Sequence, residues 1–327
     1  MSNAKTLLEV RGLKKYFAVP NGFLHAVDDV SFSIKEGETL GIVGESGCGK
    51  STLGRVILRL HEPTAGKVIY DGMDVTSFDK EEMRKMRQYM QIVFQDPYAS
   101  LDPRFTIAQI IEEPLKLHNL YKTEAERRER VEELMDLVGL AKRMYNMYPH
   151  EFDGGRRQRV VIARALSINP KFVVCDEPVS ALDVSVQAQI LNLMMELQEK
   201  LGLTYIFISH DLSVIKHISD NIGVMYLGQL IEKAPKNDIF QNPLHPYTVA
   251  LLSAIPSTNV RQKKNKIILK GEISSPINPK KGCRFAPRCP FATEACHTQD
   301  PVLQEVQPGH FVACHRYQEM IERKLHF

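Results

Sequence analysis

Residues Gly44-Glu45-Ser46-Gly47-Cys48-Gly49-Lys50-Ser51 fit the pattern G-x-x-x-x-G-K-[ST] in full. Glycines at these places let backbone N–H groups curl around phosphate, and a following helix adds the positive end of its dipole. Lys50 is placed to contact the outer phosphates of a nucleoside triphosphate, and the Ser51 hydroxyl to ligate Mg²⁺. Asp176-Glu177 closes the apolar run Lys171-Phe172-Val173-Val174-Cys175. Asp176 suits a Mg²⁺-holding carboxylate, and Glu177 a group that polarises the attacking water. Gln95 could reach metal and water through its amide, and His210 could bond the outermost phosphate. A second glycine step, Asp153-Gly154-Gly155-Arg156, opens onto another helix.

Such groups need rigid strand ends to hold them. Leu7 to Tyr16 and Ala26 to Ile34 read as strands with partial alternation, and Thr39 to Val43 as a buried strand. That strand runs into the glycine loop, and Ser51 to Leu60 continues as a helix. Asp71-Gly72 marks a hairpin. From about 97 to 166 the pattern turns helical; Val131, Leu134, Met135 and Val138 share one face, with charges opposite. Val184 to Leu201 reads as a helix and Leu203 to Ile208 as a third buried strand. Continuous apolar strands alternating with helices predict an α/β fold with a mainly parallel sheet covered on both faces.

The 327 residues accommodate one large domain and a smaller one. The 43% apolar and 25% charged fractions are those of a globular protein, and a net charge of +3 gives no sign of nucleic-acid binding. No apolar run approaches the roughly 20 residues that span a bilayer, and Met-Ser-Asn-Ala-Lys lacks a secretory core. A membrane role would run through partners, from a reducing compartment.

The order glycine loop, Phe94-Gln95, Gly-Gly helix start, Asp-Glu, Ser180-Ala181-Leu182-Asp183, His210 resembles the nucleotide-binding subunits of ABC transporters over roughly residues 5 to 245. The resemblance implies a P-loop NTPase core of ABC type with an antiparallel β subdomain and a helical subdomain at about 97–166. It implies ATP and Mg²⁺, and a head-to-tail dimer with ATP between one P-loop and the other subunit's signature. ATP contacts would then come from Gly44, Glu45, Ser46, Gly47, Cys48, Gly49, Lys50, Ser51 and Thr52. Phe17, or its neighbour Tyr16, would stack on adenine. Gln95 becomes the Q-loop, Asp176 and Glu177 the Walker B pair, Asp183 the D-loop and His210 the H-switch; Ser51, Gln95 and Asp176 would hold Mg²⁺. Pro149-His150-Glu151-Phe152 and Asn242-Pro243-Leu244-His245-Pro246-Tyr247 resemble the oligopeptide/dipeptide branch, whose pattern nickel importers share. Implied partners are a second ATPase subunit with an intact signature, two transmembrane permeases and an extracytoplasmic solute-binding protein, with this chain peripheral on the cytoplasmic face of the membrane. The alternatives are a nickel importer ATPase of the same branch, or a soluble ABC-type ATPase acting on nucleic acid or ribosomes.

The family signature is Ser-Gly-Gly-Gln; this chain has Asp153-Gly154-Gly155-Arg156. An ionised Asp153 only accepts hydrogen bonds. Beside phosphate it should repel, or cap its own helix and take N–H groups that would otherwise face phosphate. Arg156 could offset this by pairing with Asp153 or contacting phosphate itself. The expectation is an asymmetric heterodimer with a weakened signature on this chain.

Of six cysteines, Cys283, Cys289, Cys296 and Cys314 crowd the end of the chain at spacings C-x5-C-x6-C-x17-C. Disulfides are disfavoured in a reducing compartment. Four thiolates suit an iron–sulfur cluster or, without paired C-x2-C knuckles, zinc; unligated buried cysteines are the remaining alternative. Resemblance to peptide-importer ATPases implies a 4Fe-4S cluster. The expected division is 1–245 for the nucleotide-binding domain and 246–327 for a small Cys-rich C-terminal domain.

Overall fold

In a computed structural model the described residues are 5–255, 267–269, 271 and 274–325; the remainder of the two expected domains lies outside them. Among the described residues the strands, in chain order, are β1 (Thr6–Val19), β2 (Gly22–Lys35), β3 (Thr39–Val43), β4 (Ala65–Tyr70), β5 (Met73–Asp74), β6 (Met90–Val93), β7 (Phe172–Asp176), β8 (Thr204–Ile208), β9 (Asn221–Tyr226), β10 (Gln229–Pro235), β11 (Gln304–Gln307) and β12 (His310–Val312). The helices are α1 (Lys50–Ile57), α2 (Lys80–Met86), α3 (Ile107–Leu117), α4 (Glu124–Leu137), α5 (Gly154–Leu166), α6 (Val184–Leu201), α7 (Leu212–Ile218), α8 (Lys236–Gln241), α9 (Pro246–Ser253), α10 (Glu294–Thr298) and α11 (Tyr317–Ile321). They form two compact units: one holds Lys35–Glu38 and Ser77–Ile208, the other Thr6–Ile34, Thr39–Thr76 and the described residues from Ser209 onward.

In the unit that carries the glycine loop, β2-β1-β4-β5 form an antiparallel sheet. Along β2, Val30, Phe32 and Ile34 are buried and Ser31, Ser33 and Lys35 exposed, the period of a half-buried strand. Asp71 and Gly72 both have positive φ, as a two-residue hairpin turn between β4 and β5 requires. The second sheet runs β11-β12-β10-β9-β3. β3 is buried throughout and pairs parallel with β9; the remaining pairs are antiparallel.

The segment after β10 is fixed by a buried carboxylate. Glu232, fully buried, accepts the N–H groups of Leu244 (2.6 Å) and His245 (3.1 Å) and bonds His310 Nε2 at 2.8 Å. Burial pushes the His245 imidazole down to about 3. Its Nδ1 therefore stays a free acceptor and takes the Tyr247 N–H at 3.0 Å, capping α9 with Pro246 in its first turn.

The other unit has β6, β7 and β8 in parallel, from Met90↔Phe172 to Val93↔Cys175 and from Phe172↔Thr204 to Asp176↔Ile208. Both β7 and β8 are buried along their length, as strands covered on both faces must be. The expected helical stretch contains α3, α4 and α5. Thr106 with Gln109, and Thr123 with Glu126, form capping boxes that start α3 and α4. Val131, Leu134 and Met135 are buried on α4, and its Glu and Arg residues lie mostly outward.

Candidate functional site

β3 delivers the chain into the glycine loop, and α1 leaves it. Gly49, at φ 103°, stands at the N-cap of α1, where a side chain would strike the Ala26 carbonyl at 2.0 Å. The helix therefore opens without a side-chain cap of its own, leaving its positive end to an incoming anion. Lys50 is 5% exposed; its Nζ donates to the carbonyls of Gly44 (2.9 Å) and Glu45 (3.1 Å). Those bonds hold the ammonium inside the loop. Cys48 is buried, which pushes its thiol up. Ser51 and Thr52 are half-buried at the start of α1. Tyr16 stacks on His25 with centroids 3.8 Å apart and donates to Asp28. Phe17, half-buried, meets His61 edge-on at 5.5 Å. His210, in this same unit, is exposed, and the Asp211 N–H beside it is fixed by Ser209 Oγ at 3.0 Å.

The other unit gathers the acidic residues. Asp176 is 1% exposed at the end of β7. Glu177 has φ 48°, uncommon for a side-chain-bearing residue, and its N–H bonds the Ile208 carbonyl at 3.0 Å. Gln95 Nε2 donates to Glu177 Oε2 at 3.1 Å, so this pair, 82 residues apart in sequence, is in direct contact.

The second glycine step starts α5. Asp153 Oδ1 accepts the Arg156 N–H at 2.8 Å, and Arg156 Nε lies 3.6 Å from Asp153 Oδ2. Both the capping and the pairing read from sequence are therefore formed, and the side chains remain exposed at 64% and 49%. A Cβ on Gly154 would meet Leu182 at 3.0 Å, and one on Gly155 would meet Val186 at 2.6 Å. Asp183, exposed, begins α6 without a side-chain cap.

Cys283, Cys289, Cys296 and Cys314 line one small cavity with Phe285, Phe291 and Arg316. Burial pushes the Cys283 thiol up to about 11 and Cys314 to about 12, and raises Cys289 as well. By donor type the four suit a soft metal or cluster. Yet among the described residues no group of three or more His, Cys, Asp or Glu side chains is arranged to hold a metal ion. The cavity, about 20 Å³, has room for one water-sized atom. The expected 4Fe-4S cluster, or zinc, has its thiols grouped but not set out as ligands.

Two residues escaped the sequence reading. Arg288 donates to both carboxylate oxygens of Glu45, at 2.8 and 3.0 Å, and Tyr247 Oη accepts the Glu45 N–H at 3.0 Å. Tyr247 belongs to the string that marked the subfamily, but nothing in that string points at the glycine loop. Arg288 gave only the signal of an arginine bracketed by clustered cysteines.

The profile described as "ABC transporter" matches residues 27–180, and "Oligopeptide/dipeptide transporter, C-terminal region" matches 231–296. The oligopeptide transport ATP-binding protein AppF of Bacillus subtilis (strain 168) is 56% identical over 326 residues, covering 97% of this chain and 99% of that protein. The dipeptide transport ATP-binding protein DppF of Haemophilus influenzae is 53% identical over 314 residues, covering 94% and 96%. Among solved structures, the dimeric ATP-binding cassette MJ0796 bound to ADP and Pi is similar at a TM-score of 0.64 and 31% identity, covering 70% of this chain and 99% of that one. CbiO1 from Clostridium perfringens, part of the ABC transporter complex cbiONQ, gives 0.65 and 28%, covering 75% and 93%.

Proposed function

The chain belongs to the ATP-binding subunits of oligopeptide/dipeptide ABC transporters, and from that premise we propose how its residues divide the work. It has the ABC cassette fold and is an ATPase that powers a peptide importer. Lys50 and the backbone N–H groups of the glycine loop receive the phosphates of ATP, Phe17 offers its face to adenine, and Ser51 with Thr52 completes the loop. Glu177 orients the attacking water, Gln95 holds Glu177 in place, and His210 stabilises the outermost phosphate as charge develops. Ser51, Gln95 and Asp176 carry the hard oxygen donors that would hold Mg²⁺. Bound Mg²⁺ would neutralise phosphate charge. The observation that carries this assignment is the buried Lys50 ammonium, held inside the loop by two of the loop's own carbonyls.

The heterodimer is asymmetric in this account. Asp153 spends the Arg156 N–H on its own carboxylate and keeps a negative charge exposed at the start of α5. That favours a partner ATPase with an intact signature facing Gly44–Ser51, while Asp153, Gly154, Gly155 and Arg156 face the partner's poorer site; Asp183 lies at the contact between them.

Two permeases and a solute-binding protein complete the importer. No helix among the described residues is long and apolar enough to cross a membrane, which suits a peripheral subunit on the cytoplasmic face. Tyr98, 61% exposed, and Phe105, 40% exposed, line a groove with Leu101 and Arg164; this groove receives a permease segment. The boundary near 245/246 remains a proposal read from the change in sequence texture; the second profile match, 231–296, runs across it. A 4Fe-4S cluster, or zinc, on the four cysteines is favoured by the cavity they share and would require their thiols to rearrange into a ligand set; iron and zinc analysis of anaerobically purified complex tests it, and a metal-free protein contradicts it. The test of the main reading is peptide uptake by the reconstituted importer. Lys50→Ala should abolish ATP-driven uptake; undiminished uptake contradicts the reading.

A further inference from the structure

The loop that receives a polyanion contains a carboxylate. Glu45, the residue after Gly44, adds a negative charge to the nest of N–H groups built for phosphate. The described C-terminal segment cancels it. Arg288 Nη1 meets Glu45 Oε2 at 2.8 Å and Nη2 meets Oε1 at 3.0 Å, a fork-to-fork pair. The Arg288 side chain is 9% exposed and that of Glu45 28%, so solvent screens the pair less than a surface bridge.

The support around Arg288 is dense. Nη1 also donates to Tyr226 Oη at 3.3 Å, and the guanidinium lies 5.9 Å from the Tyr226 ring centroid. Phe285, three residues earlier and 1% exposed, meets the rings of Tyr226 and Tyr247 edge-on, each with centroids 5.4 Å apart. The turn is closed by Ala286 N–H to the Cys283 carbonyl (2.9 Å) and Cys289 N–H to the Ala286 carbonyl (3.2 Å). A second arginine of the same turn, Arg284, bonds Asp28 and the Leu227 carbonyl. Leu227 precedes Gly228, whose N–H bonds the Cys48 carbonyl at 2.8 Å. Tyr247 holds the Glu45 main chain while Arg288 holds its side chain.

We infer that Arg288 is a positioning residue for nucleotide binding, acting through Glu45: it neutralises the carboxylate and fixes the first turn of the glycine loop, so that the C-terminal segment sets the affinity for ATP. This rests on the ATPase reading above. Without Arg288 an uncompensated charge would face the phosphates and the loop would lose its lateral hold. Removing both partners removes the charge problem. Lysine, a point charge without the planar fork, should do part of the work.

The experiment measures ATP binding by equilibrium dialysis, and KM and kcat, on the assembled importer. Arg288→Ala should weaken ATP binding about tenfold or more, with the loss falling on KM rather than kcat. Arg288→Lys should fall between wild type and Arg288→Ala. Glu45→Gln, which leaves the guanidinium free to attract phosphate, should bind ATP more tightly, and Arg288→Ala/Glu45→Gln should return close to wild type. Wild-type affinity in Arg288→Ala, or a double variant as weak as Arg288→Ala, overturns the inference, the latter making Arg288 mere packing. If Arg288→Ala does not assemble, the Lys and Gln variants decide alone: wild-type affinity in both overturns it. Failure of the wild-type importer to bind ATP would instead overturn the ATPase reading.

Discussion

The Asp153 carboxylate accepts the backbone N–H of Arg156 at 2.8 Å and so caps the helix that it begins. Serine caps nearly as well as aspartate but carries no charge, whereas alanine loses the cap at about 1 kcal/mol. Asp153→Ser should therefore leave the melting temperature unchanged and raise ATP turnover by the assembled complex about twofold or more, as expected when a repulsive charge leaves a phosphate site. Asp153→Ala should lower thermal stability. Turnover equal to wild type in the serine variant would show that the carboxylate does not inhibit.

Gly155 lies against Val186, where an added methyl would come within 2.6 Å of Cγ1. Val186 is short and branched, so it cannot swing aside as a long side chain would. Gly155→Ala should cost about 1–3 kcal/mol by overpacking, measured by denaturant unfolding. An unchanged midpoint would mean that α5 and α6 separate without cost.

Glu112 joins α3 to α4. Burial alone would raise its carboxyl, but Lys116 at 2.8 Å and Arg127 at 2.9 Å outweigh that and hold it below the usual glutamate value. A folded-state value below the unfolded one means that the unfolded chain binds the proton more readily. The stabilisation is therefore complete above the unfolded value, about pH 4.5, and is lost as pH falls through the folded one. Glu112→Gln should destabilise the protein by about 1–2 kcal/mol at pH 7, a difference that shrinks in melts below pH 4. A difference independent of pH would assign the effect to packing.

The sequence pattern located elements whose local signals and burial agree. Thr39–Val43 and Val184–Leu201 have in the structure the bounds read from sequence, because a continuous apolar run and a long amphipathic helix each leave one solution. β1 and β2 extend beyond their apolar cores to Val19 and Lys35; hairpin pairing carries polar residues into the ladder. Helix α2 was missed although Asp79 and Glu82 form a full capping box, since seven residues give too little periodicity. Strands β9 and β10 were also passed over: Ile222–Tyr226 is as apolar as β3, but no motif drew attention to it. The glycine loop and the Asp-Glu strand end were legible because their chemistry is contiguous. The Arg288–Glu45 pair was not, its members standing 243 positions apart. The Gln95–Glu177 bond was half legible: each residue was chosen, but their contact depends on β6 pairing with β7.

The central claim is that this chain's own glycine loop and Glu177 carry the hydrolysis that drives import. Steady-state ATP turnover by the purified complex with Glu177→Gln in this chain alone tests it most directly. Gln can keep a hydrogen bond with Gln95 but cannot polarise water as a carboxylate does, so turnover should fall about 100-fold or more while ATP binding persists. Turnover equal to that of the wild-type complex would place hydrolysis in the partner's site and contradict the account.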